Sequence, residues 1–312
     1  MPLLTRWLAV LVLCAWCLAC AAPRRLDGPA ATEVAVAGIE GQLLRHAAFP
    51  SRRVQPRNVD IWLPPGYADD DARRYPVLYM HDGQNLFGAG PTPGGTDWGV
   101  DEAMTRLSSA GDVRAAIVVA IWNTPARLAE YMPRKPLGAD PVTFLEGYPT
   151  MPPAEIVSDD YLAFVVGELK PFVDAHYRTL PGREDTFVMG SSMGGLISLY
   201  ALAEYPRVFG GAGAVSTHWP AGDGVAIPYF RTHLPAPGAH RIYYDFGTET
   251  LDAAYAPYQA RMDAAMRELG YRESKDWTTL RFEGAEHSEK SWRQRVDRPL
   301  RFLLGPERDA AR

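Results

Sequence analysis

The stretch that most constrains this chain is Gly190-Ser191-Ser192-Met193-Gly194-Gly195. Before it, Thr186-Phe187-Val188-Met189 is β-branched and aromatic, as a strand is; after it, Leu196-Ile197-Ser198-Leu199-Tyr200-Ala201-Leu202-Ala203 has the apolar density of a buried helix. A chain that passes from strand to helix through one tight turn needs small residues on both sides, and Gly190 and Gly194 supply them. In that setting G-x-S-x-G lifts Ser192 to the strand tip, with Ser191 as a small neighbour. The free N–H groups and positive dipole end of the following helix face the same point. Such an arrangement suits the oxyanion of an acyl-transfer intermediate. Without the flanking strand and helix, the same letters would describe only a serine capping a helix.

The rest of the chain repeats this rhythm. Strand-like runs occur at 43–46, 58–63, 76–80, 115–121, 213–216, 242–246 and 278–282, and helical spacing at 98–107, 159–173, 258–269 and 293–304. Several strands are almost uninterrupted in apolar residues, so both faces are covered, and the expected class is α/β with a mostly parallel central sheet. One domain over 41–305 is expected, preceded by a tether over 23–40 that mixes Pro, Arg, Gly, Ala and Thr. Residues 125–157 break the rhythm with Pro, Gly and aromatics, and read as part of a substrate wall or a small lid. Gly211-Ala212-Gly213 lacks the full dinucleotide fingerprint and reads as crowded packing.

All three cysteines, Cys14, Cys17 and Cys20, fall in the first twenty residues. The body of the chain therefore has neither a disulfide framework nor a thiolate zinc site nor a cysteine nucleophile. Residues 1–22 carry Arg6, an apolar run too short to span a bilayer and then small residues, the pattern of a signal peptide. Two endings are open: cleavage near Ala21 or Ala22, or a bacterial lipobox at Leu18-Ala19-Cys20 that makes Cys20 a lipidated first residue. Lipid on Cys20 would anchor the protein to a membrane, in the periplasm or at the outer membrane. A net charge of -5 without a basic stripe argues against nucleic acid as a partner. The Asp69-Asp70-Asp71 run lacks ligand spacing and reads as a solvated loop, so no metal is expected.

An activated serine needs a base, and the base an orienting carboxylate, in the chain order Ser, acid, His. Of seven histidines, His287 alone follows the last predicted strand. The acid belongs after strand 242–246, where the loop offers Asp252 and its rival Glu249. Asp252 is preferred, against its other reading as a helix cap. The oxyanion donors expected are the backbone N–H groups of Met193 and Gln84, with Asp82 tying the Gln84 loop down. Arg127 and Tyr131 are candidate substrate contacts, though Arg127 also has the i,i+3 spacing of an ion pair with Glu130. Trp98, Trp122, Trp219 and Trp292 are candidates for an aromatic pocket, or simply core.

Over roughly residues 40–305 the chain resembles the putative esterase family of α/β-hydrolases, which includes esterase D, feruloyl esterases, enterochelin esterases and mycolyltransferases. The resemblance rests on His81-Asp82-Gly83-Gln84-Asn85-Leu86-Phe87, on the Gly190–Leu196 turn, on Gly247-Thr248-Glu249, and on Gly284-Ala285-Glu286-His287-Ser288 with Trp292. It implies Ser192 as nucleophile, His287 as base, and Met193 and Gln84 as oxyanion positions. The acid departs from the pattern: family members often carry it three residues after the loop glycine, and that position here is Thr250. The expected function is that of an exported serine carboxylesterase, without a cofactor, acting on a small-molecule ester of carbohydrate, aryl or siderophore type. Its rivals are an acyltransferase to a sugar or lipid alcohol, and a non-catalytic ligand-binding lipoprotein on the same scaffold.

Overall fold

The computed structural model describes residues 28–88, 92, 95–146 and 149–306. The expected signal peptide and Cys20 lie outside the described residues. Within them, strands β1 (Thr32–Glu33), β2 (Gln42–Phe49), β3 (Arg57–Leu63), β4 (Val77–His81), β5 (Ile117–Ile121), β6 (Thr186–Ser191), β7 (Gly211–Val215), β8 (Arg241–Gly247) and β9 (Trp277–Phe282) form one sheet. Their order is β1-β2-β3-β5-β4-β6-β7-β8-β9. From β5 to β9 every pairing is parallel, and β1, β2 and β3 add an antiparallel edge. The helices are α1 (Val100–Ser109), α2 (Arg127–Tyr131), α3 (Ser158–Phe164), α4 (Lys170–His176), α5 (Met193–Glu204), α6 (Ala226–His233), α7 (Ala256–Glu268), α8 (Glu289–Arg293) and α9 (Asp297–Leu304).

Strand side chains alternate between two cores, as the period of two dictates. Val77 and Tyr79 of β4 join Leu162, Leu199, Phe230 and Met262 on one face. Leu78 and Met80 join Met104, Leu107, Leu300 and Leu303 on the other. The fold is thus α/β with helices on both faces, as its apolar runs imply. Near the middle, the crowding expected at Gly211-Ala212-Gly213 is steric: a Cβ on Gly213 would lie 2.6 Å from Met189 Cγ.

Three expectations need correction. Residues 32–40 are docked, not a free tether. Thr32 and Glu33 pair with Arg45 and Leu44, Val34, Val36 and Ile39 pack on the core, and the Glu40 carbonyl accepts from Trp62 Nε1 at 2.6 Å. The helix expected over 293–304 is two, α8 and α9. Pro299 lacks an N–H and fits only a first turn, so the helix restarts at Asp297. Residues 125–157 are not structureless among those described: α2 forms, Val142 bridges Met151, and Tyr131, Met132, Val142, Phe144 and Ile156 are buried.

Candidate active site

The carboxyl ends of the parallel strands converge on Ser192, which follows central strand β6. Its backbone sits at φ 58°, ψ -121°, a strained conformation for a residue with a Cβ. The turn is held on all sides. Ser192 N–H donates to the Val215 carbonyl at 2.9 Å, and its own carbonyl accepts from Gly195 and His218 N–H at 3.0 and 3.1 Å. A Cβ on Gly190 would lie 2.9 Å from the Gly194 backbone, so strand and helix can close this tightly only with glycine there. Helix α5 starts at Met193, whose N–H has no protein acceptor among the described residues.

Asp252 and His287 meet beside this turn. Asp252 Oδ1 accepts from His287 Nδ1 at 2.6 Å. Asp252 Oδ2 accepts from the Ser216 hydroxyl at 2.6 Å and the Gly247 N–H at 2.5 Å. Burial works against the Asp252 charge. The hydrogen bond and charge of His287, with Ser216 and Gly247, outweigh it and hold the carboxyl below its usual range. With Nδ1 engaged by Asp252, Nε2 is the His287 ring nitrogen left for another partner.

The two loops carrying Asp252 and His287 are zipped together. Thr250 Oγ1 accepts from His287 N–H and Thr248 Oγ1 from Gly284 N–H, both at 2.8 Å. The Ala285 carbonyl takes the N–H groups of Thr248 and Glu249. Glu249 itself is exposed, and of the two candidate carboxylates only Asp252 is bonded to His287. Behind it, Ser216 Oγ also accepts from Trp292 Nε1 at 3.0 Å and from Arg295 Nη2 at 2.8 Å. Arg295 is paired with buried Asp245.

On the other side of Ser192, β4 ends at His81 and the chain turns through Asp82, at φ 56°, into a short 3-10 turn, Gly83–Asn85. The Asp82 carboxylate is gripped by Arg127 Nε and Nη2, both at 2.7 Å, and by Asn123 Nδ2 at 2.6 Å. Burial opposes its charge, but Arg127 prevails and keeps the carboxyl low. A Cβ on Gly194 would lie 3.4 Å from Asp82 Oδ2, which places this loop against the elbow. The Gln84 side chain is turned away to accept from Asn123 N–H at 3.2 Å. Its backbone N–H, like that of Met193, has no protein acceptor among the described residues.

The spacing of Arg127 and Glu130 misleads: Arg127 holds Asp82, and Glu130 pairs with Arg57 at 2.6 Å, both side chains 1% exposed. The aromatic candidates are corrected as well. Trp98, Tyr131 and Trp219 are buried in the cores. Trp98 packs on Trp292, Trp219 Nε1 donates to Gln259 Oε1, and Tyr131 lies between His81 and Tyr161. Trp122 is half-buried, donating to Asp60 Oδ2 at 2.9 Å under the Arg45 guanidinium. Of these candidates only Trp292 packs on His287, edge to face with ring centroids 5.0 Å apart.

Two neighbours of Ser192 were not foreseen. Burial and the Asp252 charge push the Tyr255 phenol up, and the Ser192 side chain, near enough to act on its oxygen, pulls the other way. His218 binds that same phenol through Nδ1 at 2.6 Å. The sequence signal for His218 was its place just past the end of a buried strand, where parallel sheets collect their functional side chains. Among the described residues no group of three or more His, Cys, Asp or Glu side chains is arranged to hold a metal ion.

The chain is similar to the uncharacterized protein YbbA of Bacillus subtilis (strain 168), 25% identical over 265 residues that make up 81% of this chain and 94% of YbbA. Among solved structures it is similar to a ferulic acid esterase, at TM-score 0.60 and 17% identity, covering 85% of this chain and 98% of the other. It also resembles the enterobactin esterase FES from Shigella flexneri, at TM-score 0.60 and 19% identity, covering 86% of this chain and 60% of that one. A third neighbour is the ferulic acid esterase AmCE1/Fae1A from Anaeromyces mucronatus, at TM-score 0.57 and 18% identity, covering 89% and 90%. These likenesses show the fold. The family model for esterases ("Putative esterase") matches residues 52–303, a span that holds Ser192, Asp252 and His287. The chain therefore belongs to the putative esterase family of ester hydrolases.

Proposed function

We propose that the protein is a serine carboxylesterase working through an acyl-enzyme on Ser192. The observation that carries this is the 2.6 Å Asp252–His287 bond beside a serine held at φ 58° on the central strand. In this reading His287 Nε2 takes the proton of the Ser192 hydroxyl as Oγ attacks the ester carbonyl. Asp252 keeps the imidazole in the required tautomer and stabilises the imidazolium without taking its proton. The Met193 and Gln84 N–H groups receive the developing oxyanion. His287 then protonates the leaving alcohol, and water clears the acyl group by the same route in reverse.

The neighbours named above act on ferulic acid and enterobactin esters, which supports an aryl, carbohydrate or siderophore ester as substrate here. The leader pattern of residues 1–22 supports export, with lipid on Cys20 as the anchored form; the mass of the mature protein distinguishes acylated Cys20 from cleavage after it. The chemical test is pre-steady-state hydrolysis of p-nitrophenyl acetate beside methyl ferulate. A burst of p-nitrophenol stoichiometric with enzyme is expected. Ser192→Ala should lose the burst and about 10³-fold or more of kcat. Undiminished turnover in that variant would refute the serine mechanism.

A further inference from the structure

Two hydrogen bonds fix the protons of a buried chain that ends on the nucleophile. His218 Nε2 lies 2.7 Å from the Phe144 carbonyl oxygen, and His218 Nδ1 lies 2.6 Å from the Tyr255 hydroxyl. A carbonyl only accepts, so Nε2 carries the ring proton. Burial pushes the His218 pKa down, against the pull of the Phe144 carbonyl, so the ring is neutral and its Nδ1 is bare. Tyr255 must therefore donate to Nδ1, and its single proton is spent there. Burial and the Asp252 charge push the phenol pKa well above the tyrosine range, so the proton stays on oxygen. What Tyr255 turns toward Ser192 is a lone pair. Its ring also stands edge to face with His287, the centroids 5.7 Å apart. In the acyl-enzyme reading Ser192 Oγ therefore has two acceptors, His287 Nε2 as base and the Tyr255 oxygen.

That pairing matters most once Ser192 is acylated. An attacking water has two O–H bonds and must aim a lone pair at the acyl carbon. One hydrogen faces His287 Nε2, and the second needs an acceptor of its own. We propose that Tyr255, locked as an acceptor by His218, receives the second hydrogen of the deacylating water and thereby favours hydrolysis over transfer to an alcohol. An alcohol has only one hydrogen to offer and gains nothing from the second acceptor. In the step itself the water oxygen bonds to the acyl carbon, and one water proton passes to His287 Nε2. That proton moves on to Ser192 Oγ as the ester bond to serine breaks, while the other leaves with the product acid. Tyr255 takes no proton. In the free enzyme the same oxygen receives the Ser192 hydroxyl.

This rests on the acyl-enzyme reading above, and one experiment separates the two. Wild type, Tyr255→Phe and His218→Asn are given p-nitrophenyl butyrate in buffer containing methanol, and methyl butyrate and butyric acid are quantified by gas chromatography. The expected result for Tyr255→Phe is a retained p-nitrophenol burst with a methyl butyrate to butyric acid ratio raised about tenfold, the loss of one hydrogen bond in the hydrolytic transition state. A purely structural role would slow both products together and leave the ratio unmoved. An unchanged ratio in a variant that still bursts overturns the role of Tyr255. If Tyr255→Phe does not fold, His218→Asn, which no longer holds the phenol through the Phe144-anchored imidazole, is read for the same rise and refutes it in the same way. A wild type with no burst and Ser192-independent turnover would overturn the acyl-enzyme reading instead.

Discussion

His81 closes β4 directly before the Gly83–Asn85 turn, and the proposed chemistry does not use it. It is 2% exposed, its Nδ1 meets the Tyr161 hydroxyl at 2.8 Å, and its Nε2 has no partner among the described residues. Burial pushes its pKa from 6.5 down to about 3; Asp82 pulls the other way, and Arg127 and Arg57 add to the depression. The folded ring is thus neutral where the unfolded ring is protonated. Between about 3 and 6.5 the unfolded chain binds the extra proton, so stability rises with pH across that window and is lost as pH falls through it. At about pH 5 the medium lies about 1.5 units below the unfolded pKa and well above the folded one. At 1.36 kcal/mol per unit, His81 then costs the fold about 2 kcal/mol.

The perturbation is His81→Asn, which keeps a polar group within reach of the Tyr161 hydroxyl and does not titrate. Urea unfolding of wild type and variant at about pH 7.5 and about pH 5 gives four stabilities. Any cavity left by the smaller side chain costs the variant equally at both pH values. Carboxylates common to both proteins cancel in the difference of differences. Wild type should lose about 2 kcal/mol more than the variant on acidification. Equal losses, within about 0.5 kcal/mol, would mean that His81 finds water or a proton acceptor in the folded state, and the reasoning from burial would fail.

The proposed acid gives a second test: Asp252→Asn should lower kcat about 10³- to 10⁴-fold by presenting the wrong tautomer of His287, whereas Glu249→Gln should stay within about twofold, both read on p-nitrophenyl acetate. The buried Arg57–Glu130 pair gives a third. Glu130→Leu alone strands a guanidinium in the core and should cost about 3–5 kcal/mol by urea unfolding, while Arg57→Met with Glu130→Leu should recover most of it.

What was legible in the sequence follows from what is local. Strands β3 to β8 announced themselves as largely apolar runs, whereas β1, two exposed residues, did not. Ser192 and His287 stood out as candidates because one follows β6 directly and the other lies in the loop after β9. The choice between Asp252 and Glu249 was not local. It depends on Thr250 at φ 53° and the turn Thr250–Ala254, which wind Asp252 back under the Gly247 N–H while Glu249 is left in solvent. Thr250, at the position where the resemblance led one to look for the acid, holds His287 by its backbone N–H, while Asp252 bonds its ring, so His287 is held from two residues of one turn. The aromatic candidates misled because an indole that satisfies its own N–H inside the protein looks no different in sequence from one that faces a ligand. Trp219 finds Gln259 and Trp122 finds Asp60, partners dozens of residues away.

Tyr255 and His218 escaped for the complementary reason. They stand 37 residues apart, and neither lies in a motif. They meet because β7 and β8 are neighbours in the sheet, so the segments leaving those strands share one end of it. A strand that ends beside the nucleophile strand delivers whatever follows it to the site. By that logic the residues just past β7, Ser216 and His218, are positioned to reach the proposed acid and nucleophile: Ser216 by its bond to Asp252, and His218 through the Tyr255 phenol beside Ser192.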